Sequence, residues 1–264
     1  MMTIREYYED AFDEHARLGA DSLEWIRSRE LIGRIIPAAP ARVADVAGGT
    51  GPYAVWLAGQ GHRVSLLDLV PSHVDRARER AAAVGVAVEC VVGDARALPW
   101  PDGSFDVVLI MGALYHLQER ADRLACLREA RRVLVPGGAL AAAYISRWAS
   151  LVDSYRYGFV ADARFASILA DDLATGRHEN PGRHPDWFTT SYFHTPAEIA
   201  GELAEVGFTD VEVLAVEGFT SATGVPDALR GESLPVVLDH LRSTEREPAL
   251  LGMSSHLMSL SRRP

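Results

Sequence analysis

The sequence predicts an α/β fold, a doubly wound parallel sheet with helices on both faces and an inserted helical, aromatic cap. Three observations carry this. Short apolar runs alternate with segments of helical periodicity between residues 42 and 146, and such alternation calls for parallel strands joined by right-handed crossovers. Phe105 to Met111 is almost continuously apolar, the pattern of a central strand buried on both faces. A glycine-rich turn, Gly48-Gly-Thr-Gly51, separates the first of these runs from the helical stretch that follows.

The elements follow in order. Residues 1–36 read as a helical N-terminal cap segment, with Leu23, Trp25, Ile26, Leu31, Ile32, Ile35 and Ile36 at mostly helical spacing until Pro37 and Pro40 break it. The core, residues 37–146, opens with a strand from Arg42 to Val46, and helical periodicity resumes from Tyr53 to Gln60. Arg63 to Asp68 is the second strand, followed by Pro71 and a charged helix through Ala83. Val86 to Val92 is the third and ends at Gly93-Asp94. Phe105 to Met111, the fourth, follows the turn Pro101-Asp-Gly103. A helix from about Asp122 to Leu134 is expected to stop at Pro136-Gly-Gly138, with a fifth strand from Ala139 to Ser146. Residues 147–194 break the alternation with aromatics, several histidines and the turn-rich Asn180-Pro-Gly-Arg-His-Pro185, and are read as the inserted substrate cap. Residues 195–264 return to the core with a helical insertion. Thr195 caps a helix whose first residue is Pro196 and which Gly207 ends; Asp210 to Val216 is a sixth strand.

Composition narrows the chemistry. At 264 residues and 48% hydrophobic content, the chain is long enough for one large α/β domain with a smaller cap. Its 36 acidic residues against 26 basic ones, a formal charge of −10, disfavour nucleic acid as a partner. All the basic residues are Arg. Without lysine there is no internal aldimine, no Walker-type phosphate lysine and no Schiff-base chemistry. Cys90 and Cys126 form neither a Cys-x-x-Cys motif nor a close pair, so a reducing, cytoplasmic setting is expected, with no disulfide framework and no thiolate zinc. Met1 to Asp10 is polar and acidic, and no apolar stretch approaches the roughly 18 residues of a membrane span. Neither signal peptide nor membrane association is expected.

The strongest local signal is Asp45-Val-Ala-Gly-Gly-Thr-Gly51 between a strand and a helix. Glycines permit a tight turn and close approach of a ligand to the backbone, and the free amides of a helix start attract negative charge. Asp68 closes the second strand about 20 residues on, where an acid can accept hydrogen bonds from ribose hydroxyls. Asp94 closes the third and could meet an adenine edge. Ligands bind outside the carboxyl ends of parallel strands, and all these groups fall there.

With these motifs, the sequence resembles the small-molecule, class I S-adenosylmethionine-dependent methyltransferases of Rossmann-like fold. The resemblance rests on the segments 45–53, Leu67-Asp-Leu69, Gly93-Asp-Ala95, 105–117 and Leu134-Val-Pro-Gly-Gly138, and covers residues 40–146 tightly and 195–217 loosely. It implies S-adenosyl-L-methionine as cofactor and methyl transfer to a small-molecule acceptor by in-line displacement. It adds an antiparallel last strand, Ser254 to Ser261, completing a seven-stranded, mostly parallel sheet. Carried over by position, Ala47, Gly48, Gly49 and Gly51 would lie against the methionine part and Asp68 would hold the ribose. Asp94 and Ala95 would contact adenine with Leu69 packed on its ring, Met111 and Gly112 would sit beneath the sulfonium, and Asp45 would fix the loop or reach the amino group. Ala47 departs from the glycine common in the family. His116 is implied as base or positioning group, with Tyr115 beside it. The N-terminal helix would fold over the cofactor, bringing Tyr7 and Arg17 to it and Tyr8 to the acceptor. From the cap, Arg147, Tyr192 and His194 are expected at the acceptor. No metal is expected, because the run between His178 and His184 lacks ligand spacing. The chain would act as monomer or homodimer. Two other readings compete: a nicotinamide-dependent oxidoreductase, against which the loop lacks Gly-x-Gly-x-x-Gly spacing, and a catalytically silent cofactor-binding or regulatory protein of the same fold.

Overall fold

Strands form at the apolar runs: β1 Arg42–Val46, β2 Arg63–Asp68, β3 Val88–Val92, β4 Phe105–Ile110 and β5 Leu134–Ile145, then a short hairpin of β6 Arg177–His178 and β7 Ser191–Tyr192, and finally β8 Thr209–Ala215 and β9 His256–Arg262. This computed structural model describes residues 22–182, 184–226, 229 and 231–264. The main sheet has seven strands in the order β3-β2-β1-β4-β5-β9-β8. β9 runs antiparallel between β5 and β8, and the other neighbours in the sheet pair in parallel. From β1 the chain moves outward through β2 and β3, then crosses back to β4 on the other side. The crevice beyond the tips of β1 and β4 is thus the switch point at which such sheets bind ligands.

Helices cover both faces. Leu23–Gly33 (α1), Pro52–Gly59 (α2) and Pro71–Ala83 (α3) pack Leu31, Tyr53, Leu57, Val74 and Ala77 against Val107 and Leu109 of β4. Arg120–Val133 (α4) packs Cys126, Leu127 and Ala130 against the opposite side chains of the same strand, Val108 and Ile110. A strand alternates its side chains between faces, so the continuous apolar run of β4 answers two cores at once. Within residues 147–194 lie Ala149–Arg156 (α5), Ala163–Thr175 (α6) and the β6–β7 hairpin, with a small apolar cluster of their own around Phe165, Leu169 and Trp187. Pro196–Val206 (α7) starts with the expected cap: the Thr195 side chain accepts from the Glu198 amide, Glu198 bonds back to the Thr195 amide, and Gly207 closes the helix at φ 89°. Leu234–Thr244 (α8) follows.

Several boundaries differ from the sequence reading. β3 begins at Val88 rather than Val86, β4 ends before Met111, and α4 starts at Arg120 rather than Asp122. The largest difference is β5, which begins at Leu134 and runs through Pro136-Gly-Gly138 where a turn was expected. The cause is tertiary: the Gly137 amide donates to the Arg263 carbonyl at 2.7 Å, and the Arg263 amide returns a bond to Gly138 at 2.9 Å. The glycines are therefore paired with the far end of β9.

Candidate active site

The turn after β1 is shaped by close backbone approach. A Cβ at Gly48 would fall 2.7 Å from Asp45 Oδ2 and from Leu66 Cδ1, so only glycine lets the chain press down over the buried Asp45 carboxylate. Gly51 takes the left-handed conformation, φ 79°, as N-cap of α2. Ala47 is also left-handed, φ 56°. Asp68 ties the next strand tip to this turn: Oδ2 accepts from the Gly49 amide and Oδ1 from the Val70 amide, both at 2.9 Å, and His73 Nδ1 lies 3.3 Å away. Asp94 grips Arg96 through both oxygens at 2.6–3.1 Å, and this guanidinium holds its carboxyl below the usual carboxylate range. Leu69 is exposed beyond the β2 tip, and Ala95 packs on the core beneath β4. Met111 and Gly112 continue from β4, and a Cβ on Gly112 would lie 3.3 Å from the Ala47 carbonyl oxygen. The cofactor residues named from the sequence between 45 and 112 are thus gathered along one sheet edge. Tyr7, Tyr8 and Arg17 lie outside the described residues.

Two cavities open at this edge. A narrow one is bounded by Ala47, Gly48, Tyr53, Met111 and Tyr115. A large one, about 900 Å³, is walled by Phe159, Phe165, Trp187, Phe188 and Phe193 of the cap segment. Glu24, Tyr115 and His256 line both.

The acceptor contacts named from the sequence fall elsewhere. Arg147, Tyr192 and His194 line neither cavity; they fasten the cap to the core. Arg147 donates to the Phe193 carbonyl at 2.9 Å and to both oxygens of Glu198 at 2.8 Å, and the Tyr192 hydroxyl donates to Glu198. His194 is fully buried, edge-on to Tyr144 and Tyr192, and burial pushes its pKa down. His116 also lines neither cavity: its ring stacks on Phe188 at 5.9 Å, with Tyr115 at 4.7 Å. Tyr115 is the member of that pair facing the site, its hydroxyl 3.4 Å from the Met111 carbonyl.

The sequence reading missed a group from three distant segments. Glu24 on α1, Glu217 just past β8 and His256 at the start of β9 place their ligating atoms within 4.8 Å of one another. No spacing announces them, since the sheet brings them together. The shortest contact is a hydrogen bond, His256 Nδ1 to Glu217 Oε1 at 2.6 Å. His178 is buried against Asp172 and the Phe188 carbonyl, while His184 stacks on Trp187.

Residues 43–138 match the family model described as a methyltransferase domain. Over these residues the chain is similar to methyltransferase domains. Its match leaves the nicotinamide reading without support. A demethylmenaquinone methyltransferase of Deinococcus radiodurans is 41% identical over 103 residues, 38% of this chain and 42% of the relative. One from Thermus thermophilus is 38% identical over 133 residues, 50% of this chain and 58% of the relative. The chain thus spans about half the length of these curated relatives. The fold is shared with an S-adenosylmethionine-dependent methyltransferase of Methanosarcina mazei, TM-score 0.60 at 18% identity, over 88% of this chain and 96% of that one. Among the described residues, no helix is long and apolar enough to cross a membrane.

Proposed function

We propose that this chain transfers the methyl group of S-adenosylmethionine to a small acceptor held in the aromatic cavity, by in-line displacement. The observation that carries the reading is the shared wall: Glu24, Tyr115 and His256 border both the narrow cavity at the glycine turn and the large one. A donor against the turn and an acceptor among the aromatic rings would therefore meet at these residues.

The residues fit the cofactor. The edge is bare of side chains at Gly48 and Gly112, where a Cβ would clash or crowd, and Asp68 is held rigid by two amides. Each carboxylate oxygen has a second lone pair, so Asp68 can accept from a ribose hydroxyl without releasing the turn. Asp94, Ala95 and Leu69 would surround the adenine, and residues 47–51 with Met111 and Gly112 the methionine end. When bound, the sulfonium supplies an activated methyl group. The protein's part is alignment, since holding reactants in a near-attack geometry is the main catalytic lever for such a displacement. Aromatic walls keep water from the reacting atoms and suit a flat or apolar ring. The relatives named for demethylmenaquinone support a small-molecule acceptor. The net charge of −10 supports one other than nucleic acid.

Titration calorimetry with S-adenosylmethionine and S-adenosylhomocysteine tests this. Micromolar binding is expected, weakened at least about tenfold, or 1.4 kcal/mol, by Asp68→Ala. Unchanged affinity in a folded variant discards the ribose assignment. Labelled methyl entering a metabolite extract separates transfer from silent binding.

A further inference from the structure

We propose that the acceptor of this site is an organic cation, an ammonium group carried on an aromatic ring, and that Asp153 is the residue that selects it. The proposal rests on the transfer reading above and deepens it.

The sequence of α5 builds one wall of the acceptor cavity. Ala149, Ser150, Asp153, Arg156 and Tyr157 all border it, and steps of three residues from Ser150 to Asp153 to Arg156 keep them on one helix face. Asp153 thereby brings a carboxylate to the space that Phe159, Phe165 and Trp187 also enclose. Among the described residues, neither a hydrogen bond nor an ion pair reaches that carboxylate. Burial pushes its carboxyl up, and the charges of His256 and Arg156 offset this only in part. A carboxylate short of both water and donors is stabilised by a cation that seats beside it.

The surrounding charges leave a place for one more positive group. Glu24, Asp153 and Glu217 bring three carboxylates to this wall. The His256 ring, counted as a cation, is taken up by Glu217 at 2.6 Å, with Glu24 at 3.9 Å. Arg156 donates to the Ser221 carbonyl at 2.8 Å and lies over the Tyr157 ring at 5.5 Å. Among the described residues, these two cations against three carboxylates leave the wall negative. Asp186 adds a further acid at the exposed rim. A low-dielectric cavity strengthens the pull of such an imbalance on an entering cation. The sulfonium of the donor does not account for it, because Asp153 and Asp186 border the large cavity and not the narrow one at the glycine turn.

Aromatic rings supply the other half of the recognition. Phe159 meets Phe165, and Phe165 meets Trp187, with centroids 5.2 Å apart and planes inclined by 58° and 57°. Rings inclined in this way do not cover each other's faces, and a ring face carries the negative side of its quadrupole. An ammonium group is drawn to such faces and to a carboxylate alike, while the flat ring it is attached to packs among the others. A neutral ligand would use the rings and leave Asp153 without a partner, and an anionic one would meet like charge. The cavity, at about 900 Å³, has the size that takes a fused ring with a short side chain.

Three indoles of similar shape test this: tryptamine, tryptophol and indole-3-acetate, whose side chains end in a cation, a neutral hydroxyl and an anion at neutral pH. Calorimetry on the chain saturated with S-adenosylhomocysteine is expected to rank them in that order, tryptamine ahead of tryptophol by at least about tenfold. Asp153→Asn keeps the shape and removes the charge; it should bring tryptamine down to the affinity of tryptophol and leave tryptophol unchanged. Asp153→Glu should keep the preference. A merely structural role for Asp153 would instead weaken both ligands alike, and unchanged S-adenosylhomocysteine binding in the variants reports an intact fold. With tritiated S-adenosylmethionine and a metabolite extract, the labelled product, once separated from the donor, is expected to be retained on a cation exchanger. The proposal is overturned by equal affinity for the three indoles, by tighter binding of tryptophol or indole-3-acetate, or by no tryptamine binding at millimolar concentration. A preference that survives Asp153→Asn, or a labelled product that is neutral or anionic, also overturns it. Failure of wild type to bind S-adenosylmethionine instead overturns the transfer reading itself.

Discussion

Ala47 holds a left-handed backbone, φ 56°, where a Cβ meets the following carbonyl at a cost of roughly 1–2 kcal/mol. Glycine removes that strain but adds unfolded-state freedom worth about 0.5–1 kcal/mol. Ala47→Gly is therefore expected to range from neutral to about 1 kcal/mol stabilising in urea unfolding, against the usual sign for this exchange; a clear loss would show that the methyl group is useful where it stands. Residues of this kind were legible beforehand. Gly51 is dictated by its own left-handed backbone and Gly48 by the Asp45 and Leu66 side chains that a Cβ would strike, and Asp68 by its place at a strand end. The pair Glu217 and His256 was not legible, because their meeting depends on where two strands lie in the sheet.

Arg123 shows what one side chain does for several elements. It projects from α4, fully buried, and pairs with Glu202 of α7 at 2.8–3.3 Å. The same guanidinium donates to the Leu117 and Gln118 carbonyls at 2.9 and 2.8 Å and covers the Tyr192 ring of β7 at 3.7 Å. It thus pins the loop carrying Tyr115 to a helix and to the cap. Removing one partner of a buried ion pair strands the other charge, at about 3–5 kcal/mol. Arg123→Met is expected to destabilise by that amount, and adding Glu202→Leu should restore most of it, because two apolar groups leave no stranded charge. A double-mutant cycle in urea measures both; full additivity of the two losses would contradict the coupling. The periodicity of α4 and α7 was readable in the sequence, but this connection between them was not.

Across the whole molecule, buried titratable groups set the acid limit. Burial keeps His194 below its ordinary value of 6.5. The unfolded chain therefore takes up that proton first, and the stability is complete above pH 6.5 and declines as pH falls below it. Glu202 and Glu245 add a second phase: burial alone would raise them, but His194 and Arg123, and Arg34 and Arg27, hold them below 4.5. Their contribution is intact above pH 4.5 and disappears as pH drops through their lowered values. Stability measured by urea titration is thus expected to begin falling near pH 6.5, with a slope of at most about 1.4 kcal/mol per pH unit per proton, and to steepen below pH 4.5. A flat profile from pH 7 to 5 would argue against a neutral, buried His194.

The sequence alone determined the alternation of strands and helices, the glycine turn, the acids at successive strand tips and the direction of the site. Each is a local matter: periodicity decides which face is buried, and backbone angles decide where glycine must stand. Only the tertiary structure decided that Pro136-Gly-Gly138 continues a strand and that Arg147, Tyr192 and His194 clamp the cap rather than line the cavity. It also decided that His256 meets Glu217. Those outcomes depend on which distant segments the sheet order makes neighbours, and an antiparallel strand placed between two parallel ones brings its own beginning to the edge where the others end.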